Sequence, residues 1–529
     1  MRELLPSGQA AAIREGLIDY LRTTFALADA DAGSALQEFL ENSEDGIFKG
    51  PYLRLRLPFK SAADGWRDAF DWYDGYPPYG HQAAAFSRLS SLGLHEARSR
   101  PLPTLVTTGT GSGKTEAFLY PILDHVLRAK RAGVTGMKAL ILYPMNALAN
   151  DQAQRLAAMI SSSADLSGVT AALYTGQEGP SRTKVTSEGL ITDRAIIRDS
   201  APDILLTNYK MLDQTLLRAA DTQMWKQSAH SLQYLVLDEF HTYDGAQGTD
   251  VAMLLRRLGM ALKSYWDADD QILTDADWQR PLGKVTPIAT SATLGDKGDP
   301  AAMLEFARTV FGDAFDQDSV VTESRMTFDE WASGGVVGLR ELTAADVTEA
   351  LRKLEYVDPT SGKAIADAMM GALAPAASRS DELAMLQIIK GLPLTRALAD
   401  ACSEATELSD LARLVPADTE DAEAFLLAYA ATLSHVRAVV GKSALSVDLH
   451  LWVRELTRID RSASLAPSFH WSDDGAHDDE RLATFPAIYC RHCGRSGWGV
   501  HLAPIGEELD QSDAGGVRKA KVVDSERFR

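Results

Sequence analysis

Between residues 104 and 293 six short apolar runs alternate with stretches of helical character. They are TLVTT (104–108), ALILYP (139–144), AALYTG (171–176), DILLTN (203–208), YLVLDE (234–239) and PIATSAT (287–293), and each ends in polar residues, glycine or proline. Short continuous apolar runs are buried on both faces, and helices between them supply the cover; that is the pattern of a parallel sheet. The chain is therefore read as α/β, with a doubly wound core, an N-terminal helical segment and a mainly helical C-terminal region. In such sheets ligands bind beyond the carboxyl ends of the strands. Residues that carry chemistry should stand at the ends of the runs.

They do. The first run leads into TTGTGSGKTEAFLYPIL (107–123), where Thr108, Gly109, Thr110, Gly111, Ser112 and Gly113 form a small-residue bend ahead of a helix. Converging backbone N–H groups and a helix N-terminus make a cradle for phosphates. Lys114 is placed to reach β- and γ-phosphates, and the Thr115 hydroxyl to bind Mg²⁺. The fifth run ends in Asp238 and Glu239, one carboxylate for Mg²⁺ and one to orient and deprotonate an attacking water. With Lys114 these form the candidate catalytic set for ATP hydrolysis. His241, Ser291, Ala292 and Thr293 are placed to couple that strand end to its neighbour. Gln82, about thirty residues before Lys114, could pair its amide with adenine, with Tyr79 or Phe86 packing beside it. Asn146, Thr175, Gly176, Thr207 and Asn208 sit at strand-to-helix turns suited to gripping nucleic-acid phosphates. Each feature alone has a bland counterpart: a glycine-rich turn, solvated acids, a satisfied histidine, a glutamine in a first helical turn. Their order along one alternating sheet favours the chemical reading.

Taken in sequence, Gln82, TGTGSGKT, PMNALA, YTG, TNY, DEFH and SAT resemble the first RecA-like, P-loop NTPase lobe of a superfamily 2 DExH/DEAD-box helicase. Thr108 replaces the first glycine of the strict phosphate-loop spacing, a form used by helicases rather than small GTPases or kinases. The segment HTYDGAQGTDVAMLLRRL (241–258) is similar to the MrfA group of bacterial DNA helicases and to relatives in phage-defence systems such as Druantia and DISARM. The resemblance covers about 76–300. It implies ATP and Mg²⁺ as cofactors, 3′-to-5′ translocation on single-stranded DNA with duplex unwinding, and an accessory segment feeding the adenine pocket. It also implies a second RecA-like lobe whose arginines complete the ATP site. Nothing from 300 to 529 reads as that lobe, and the chain ends at VVDSERFR, so a truncated, split or excerpted product is expected. The partners implied are DNA, a second lobe supplied in trans and defence-system proteins. An ATP-dependent nucleic-acid-binding subunit and an inactive fragment are the alternatives. A transporter ATPase is disfavoured, since no LSGGQ-like signature occurs.

The remaining chain divides by composition into 1–75, an accessory segment; 76–325, the lobe; 326–480, a helical region; and 481–529, a tail. Residues 1–60 read as two helices followed by a strand at YLRLRLPF, and 326–460 as helical without a strong strand. In the tail, Cys490 and Cys493 of CRHCG offer two thiolates to Zn²⁺, which needs four ligands; His492 and His501 lie near in sequence. Cys402 reads as a small buried hydrophobe. Three cysteines in 529 residues argue against a disulfide framework. With neither a signal peptide nor an 18-residue apolar run, a cytoplasmic protein with no membrane partner is expected. The formal net charge of −20 weakens a nucleic-acid partner only slightly, because acid is concentrated in stretches such as SDDGAHDDE (472–480).

Overall fold

The computed structural model describes residues 6–42, 46–94, 100–109, 111–177, 180–267, 273–292, 300–375, 381–472, 483–506, 508–511 and 513–529. Two compact units emerge, Phe59–Arg325 and a discontinuous one made of Met1–Pro58 with Met326–Arg529.

The unit Phe59–Arg325 is built on a parallel sheet of β1 (Thr104–Thr107), β2 (Ala139–Tyr143), β3 (Ala171–Tyr174), β4 (Ile204–Asn208), β5 (Tyr234–Leu237), β6 (Thr286–Ser291) and β7 (Val320–Thr322), in spatial order β3-β4-β2-β5-β6-β1-β7. Six strands coincide with the six apolar runs. The seventh, three residues long, was not read from the sequence. β1, β2, β5 and β6 are buried along their whole length. Helices such as Lys114–Arg131 and Gly245–Lys263 supply separate apolar cores on the sheet. At the strand starts, the buried Lys138 ammonium lies 2.7 Å from Asp203 Oδ1 and Lys130 lies 2.9 Å from its Oδ2. Burial pushes the Asp203 carboxyl up, but hydrogen bonds from Lys138, Thr170 and Lys130 outweigh it and hold the carboxyl low. The charges there brace the sheet and leave the opposite edge for ligands.

In the second unit, strand Phe48–Arg56 lies antiparallel between Ser446–Val453 and Thr406–Glu407. A second antiparallel sheet orders Phe469–Trp471, Ile459–Ser462, Thr484–Tyr489 and Ser496–Trp498. The two helices and strand expected before residue 60 are present as Pro6–Thr24, Ala30–Glu41 and Phe48–Arg56. The structure corrects the strand-poor reading of 326–460. SVDLHLWV (446–453) alternates apolar and polar residues and pairs with the N-terminal strand. This pairing also divides the chain differently from the four compositional segments, since residues before 58 join those after 326. Helix Thr419–Val440 is long and apolar enough to cross a membrane by length and composition. It instead buries Phe425, Leu426, Tyr429 and Val436 in the core of this unit. Cys402 is fully buried there, which pushes its thiol up to about 12.

Candidate active site

Immediately after β1 the chain bends through Thr108 and Gly109. Thr110 lies outside the described residues. Ser112 is fully buried, and its hydroxyl donates to Thr108 Oγ1 at 2.6 Å, which pins the bend across its own width. Gly111 and Gly113 have φ of +78° and +82°, in the left-handed region that favours glycine. At Gly113 a Cβ would also come within 2.3 Å of Gln82 Nε2. Helix Lys114–Arg131 starts at the next residue, so its positive end faces the bend.

Gln82 lies against this loop, 8% exposed. Its Nε2 donates to the Gly113 carbonyl at 3.1 Å and its Oε1 accepts from Tyr79 N at 2.9 Å. The neighbouring His81, which sequence reasoning passed over, has Nε2 2.9 Å from the Ser112 carbonyl. Phe86 is fully buried against Phe70, so it packs beneath this segment.

Across the loop, at the end of β5, Lys114 Nζ stands 3.3 Å from Glu239 Oε1. Glu239 has φ +50°, a left-handed conformation found at no other non-glycine among the described residues. Such a position costs about 1–2 kcal/mol and persists where the surroundings enforce it. Here Thr242 Oγ1 donates to Glu239 O at 2.7 Å, and Glu239 N donates to Thr290 Oγ1 at 3.3 Å. The same Thr290 hydroxyl donates to Asp238, which is 6% exposed. His241 Nδ1 lies 3.1 Å from Ser291 Oγ and 3.4 Å from Glu239 Oε2. Ser291 O accepts from Thr108 N at 3.2 Å, returning the network to the phosphate loop. Ala292 follows; Thr293 lies outside the described residues. The hydroxyl that reaches Asp238 belongs to Thr290, one residue before the expected trio. The parallel register, with Leu237 beside Ala289, carries Asp238 to Thr290 at the next step.

Burial pushes the Asp238 carboxyl above its usual range, and the Thr290 hydroxyl opposes that rise. A cation at Asp238 would be held by the ionised form, so Mg-dependent nucleotide affinity should then fall as pH drops through this raised pKa. Thr290→Val removes the opposing hydrogen bond and should move the fall to higher pH. Titrating a fluorescent ATP analogue with Mg²⁺ from neutral to acid pH checks this; coincident profiles for variant and parent would refute it.

The residues suit a magnesium–nucleotide pair. Left-handed glycines open the cradle, Lys114 and the helix start supply positive charge, and the buried Asp238 carboxylate stands at the neighbouring strand end. Magnesium commonly takes only one or two protein ligands and completes its shell from phosphates and water.

Beyond β2, β3 and β4 lies a groove of about 550 Å³ lined by Asn146, Gly176, Arg194, Asn208, Lys210 and Arg218, among others. Asn208 Nδ2 donates to Asn146 Oδ1 at 2.6 Å, while its Oδ1 caps the next helix through Met211 N at 2.8 Å. The structure does not bring Thr207 or Thr175 to this surface. Thr207 is 2% exposed, with its hydroxyl donated to Tyr174 O at 2.6 Å, and Thr175 is buried. They support the groove from beneath. Arg194, Lys210 and Arg218 escaped the sequence reading because single basic residues on helices carry no local signature.

In the other unit, Cys490 and Cys493 are exposed at the turn of a hairpin, where Cys490 N donates to Arg495 O and Gly494 N to Cys490 O, both at 2.9 Å. Backbone N–H groups of Cys493 and His492 hold the Cys490 thiol below its usual range. His501 is not available to zinc. It is buried, with Nδ1 3.1 Å from Asp510 Oδ2 and Nε2 2.9 Å from Asp524 O. Among the described residues no three His, Cys, Asp or Glu side chains come together to hold a metal.

Residues 82–298 match the DEAD/DEAH box helicase family. The Druantia protein DruE of Escherichia coli is 28% identical over 50% of this chain and 20% of its own length. The uncharacterized ATP-dependent helicase YprA of Bacillus subtilis is 29% identical over 43% of this chain and 27% of its own. The ATP-dependent helicase hrq1 of Schizosaccharomyces pombe is 32% identical over 34% and 14%. The chain thus spans a minor part of the length of these relatives. Among solved structures, the DUF1998 helicase MrfA bound to DNA is 20% identical, with a TM-score of 0.33, over 62% of this chain and 41% of that one.

Proposed function

We propose that the superfamily 2 DEAD/DEAH box helicase domain carried by this chain is the first motor lobe of an ATP-dependent DNA helicase or translocase. The observation that carries the reading is Lys114 standing 3.3 Å from Glu239 across two strand ends, with Asp238 buried behind them. A cation for phosphates and a base for water must meet at one point in phosphoryl transfer. Lys114 neutralises the phosphates, Thr115 and Asp238 hold the metal, and Glu239 takes the proton of the attacking water. Magnesium supplies charge neutralisation at the transferred group. Gln82, bound through Oε1 to Tyr79 N and through Nε2 to Gly113 O, keeps one amide hydrogen for adenine. His241 and Ser291 link Glu239 to Thr108, so a change at one strand end reaches the other.

In this reading a nucleic-acid strand lies over the groove. Asn146, Gly176 and Asn208 offer polar backbone and side-chain contacts, and Arg194, Lys210 and Arg218 neutralise phosphates. Resemblance to the MrfA group and to a Druantia protein favours DNA and a phage-defence setting, in the cytoplasm. The motor works with a second RecA-like lobe, in the same polypeptide or in trans. Cys490 and Cys493 take part in a zinc site if two further ligands join them.

Hydrolysis measured with single-stranded DNA and with RNA tests the substrate. Stimulation by DNA alone supports the reading, and equal stimulation by RNA removes the DNA preference. Lys210→Ala and Arg218→Ala should each weaken DNA binding at every sequence and flatten its salt dependence by about one counterion. Fluorescence anisotropy across a salt series reads this, and parallel lines for variants and parent would exclude the groove.

A further inference from the structure

The carbonyls of the peptide groups at 112–113 and 113–114 both accept from helix Gly80–Leu89, the second of them also from Ala117 N at 3.1 Å. His81 Nε2 takes the Ser112 carbonyl at 2.9 Å and Gln82 Nε2 takes that of Gly113 at 3.1 Å. In a planar trans peptide the N–H points opposite to its C=O. Turning these two carbonyls toward the helix therefore turns the Gly113 and Lys114 N–H groups away from it, where the bend can receive an anion. Since a carbonyl only accepts, Nε2 of His81 carries the proton. Its Nδ1 is buried without a partner among the described residues, and the residue is 1% exposed. A buried nitrogen left unbonded has a cost that the contact to Ser112 must outweigh.

The other arm of the loop is held by a residue from beyond β7. Glu323 Oε2 accepts from Gly109 N at 3.2 Å. Arg325 grips the same carboxylate, Nε to Oε1 at 2.8 Å and Nη2 to Oε2 at 3.3 Å. The Arg325 guanidinium lies 4.0 Å from the centre of the Phe59 ring, whose centroid is 5.1 Å from that of His81. Phe59 thus touches the supports of both arms.

We propose that His81 and Glu323 are positioning residues of the phosphate loop, fixing its two arms so that its N–H groups converge on the polyphosphate of a nucleoside di- or triphosphate. The inference rests on the reading of 108–115 as a nucleotide cradle. Neither residue touches the reacting atoms. Arg325 neutralises Glu323, so the carboxylate braces the loop without repelling the ligand.

The test uses the full chain and a fluorescent N-methylanthraniloyl ATP with Mg²⁺. His81→Phe keeps a ring in the pocket and removes the donor; affinity should fall about tenfold, equally for the diphosphate analogue. His81→Gln, whose amide can reach the same carbonyl, should stay within about threefold of the parent. Thermal unfolding without nucleotide should drop only slightly in His81→Phe, because loss of the contact to Ser112 is offset in part by removal of the unbonded buried nitrogen; a purely structural role would instead lower it in proportion to the loss of affinity. Glu323→Ala should weaken binding and Glu323→Gln, which keeps an acceptor for Gly109 N, should restore it. That pair serves if His81→Phe fails to fold. Parent-like affinity in His81→Phe or Glu323→Ala, or failure of the glutamine variants to restore binding, overturns the proposal while leaving the cradle in place. A parent chain that does not bind the analogue overturns the nucleotide reading and the positioning role together.

Discussion

Lys114→Ala should reduce Mg-ATP affinity by about 30-fold to several thousandfold, the range expected when one member of a close, partly desolvated charge pair is cut away, about 2–5 kcal/mol. The side chain is 12% exposed and its partner in the structure is Glu239. Its charge is therefore poised at the mouth of the cradle with, among the described residues, a single carboxylate to give up. Arrival of a polyphosphate replaces that contact with stronger ones. The residue lies at the start of helix Lys114–Arg131, where a cation is unfavourable beside the positive helix end. Removing it should therefore leave thermal stability unchanged or slightly raised. Loss of nucleotide affinity with an unchanged melting temperature is the expected pair of results. Wild-type affinity in Lys114→Ala would show that the loop holds something other than phosphates.

How much of this was legible follows from where each signal is stored. Strands buried on both faces advertise themselves as uninterrupted apolar runs, which is why six of the seven in the parallel sheet were read. Val320–Thr322 is too short to form a run, yet it carries Glu323 to the phosphate loop. SVDLHLWV has a strand's period of two, but a helix-rich composition around it hid the pattern, and its partner lies some four hundred residues away in sequence. That Lys114, Asp238 and Glu239 stand at neighbouring strand ends was legible because the apolar runs fix where those ends lie. Thr290 was not, since its role depends on the register between β5 and β6. His81 and Glu323 act through backbone atoms of the loop, and a backbone contact imposes no residue type that a linear reading could recognise. Thr207 and Thr175 stand at strand ends, as expected for phosphate contacts, but Thr207 is turned inward within its strand and Thr175 is buried just past β3.

Glu239→Gln should leave nucleotide binding intact and lower the rate of hydrolysis by about 10²–10⁴-fold, the usual contribution of a positioned general base. The substitution keeps the size of the side chain and removes its capacity to take a proton. The left-handed backbone at 239 is imposed by Thr242 and Thr290, through the carbonyl and the N–H of residue 239, and both contacts survive the change. The side chain should then keep its place beside Lys114 and His241. A glutamine also holds Lys114 less tightly than a carboxylate, so ATP affinity should stay level or rise modestly. The two variants thus separate binding from chemistry at positions 3.3 Å apart. Single-turnover hydrolysis and analogue binding, measured on the same preparations, provide the comparison. If Glu239→Gln loses affinity as severely as Lys114→Ala, the carboxylate belongs to the binding apparatus. If it hydrolyses ATP at the parent rate, the base must be sought elsewhere, and His241, 3.4 Å from Glu239, is the next residue to test.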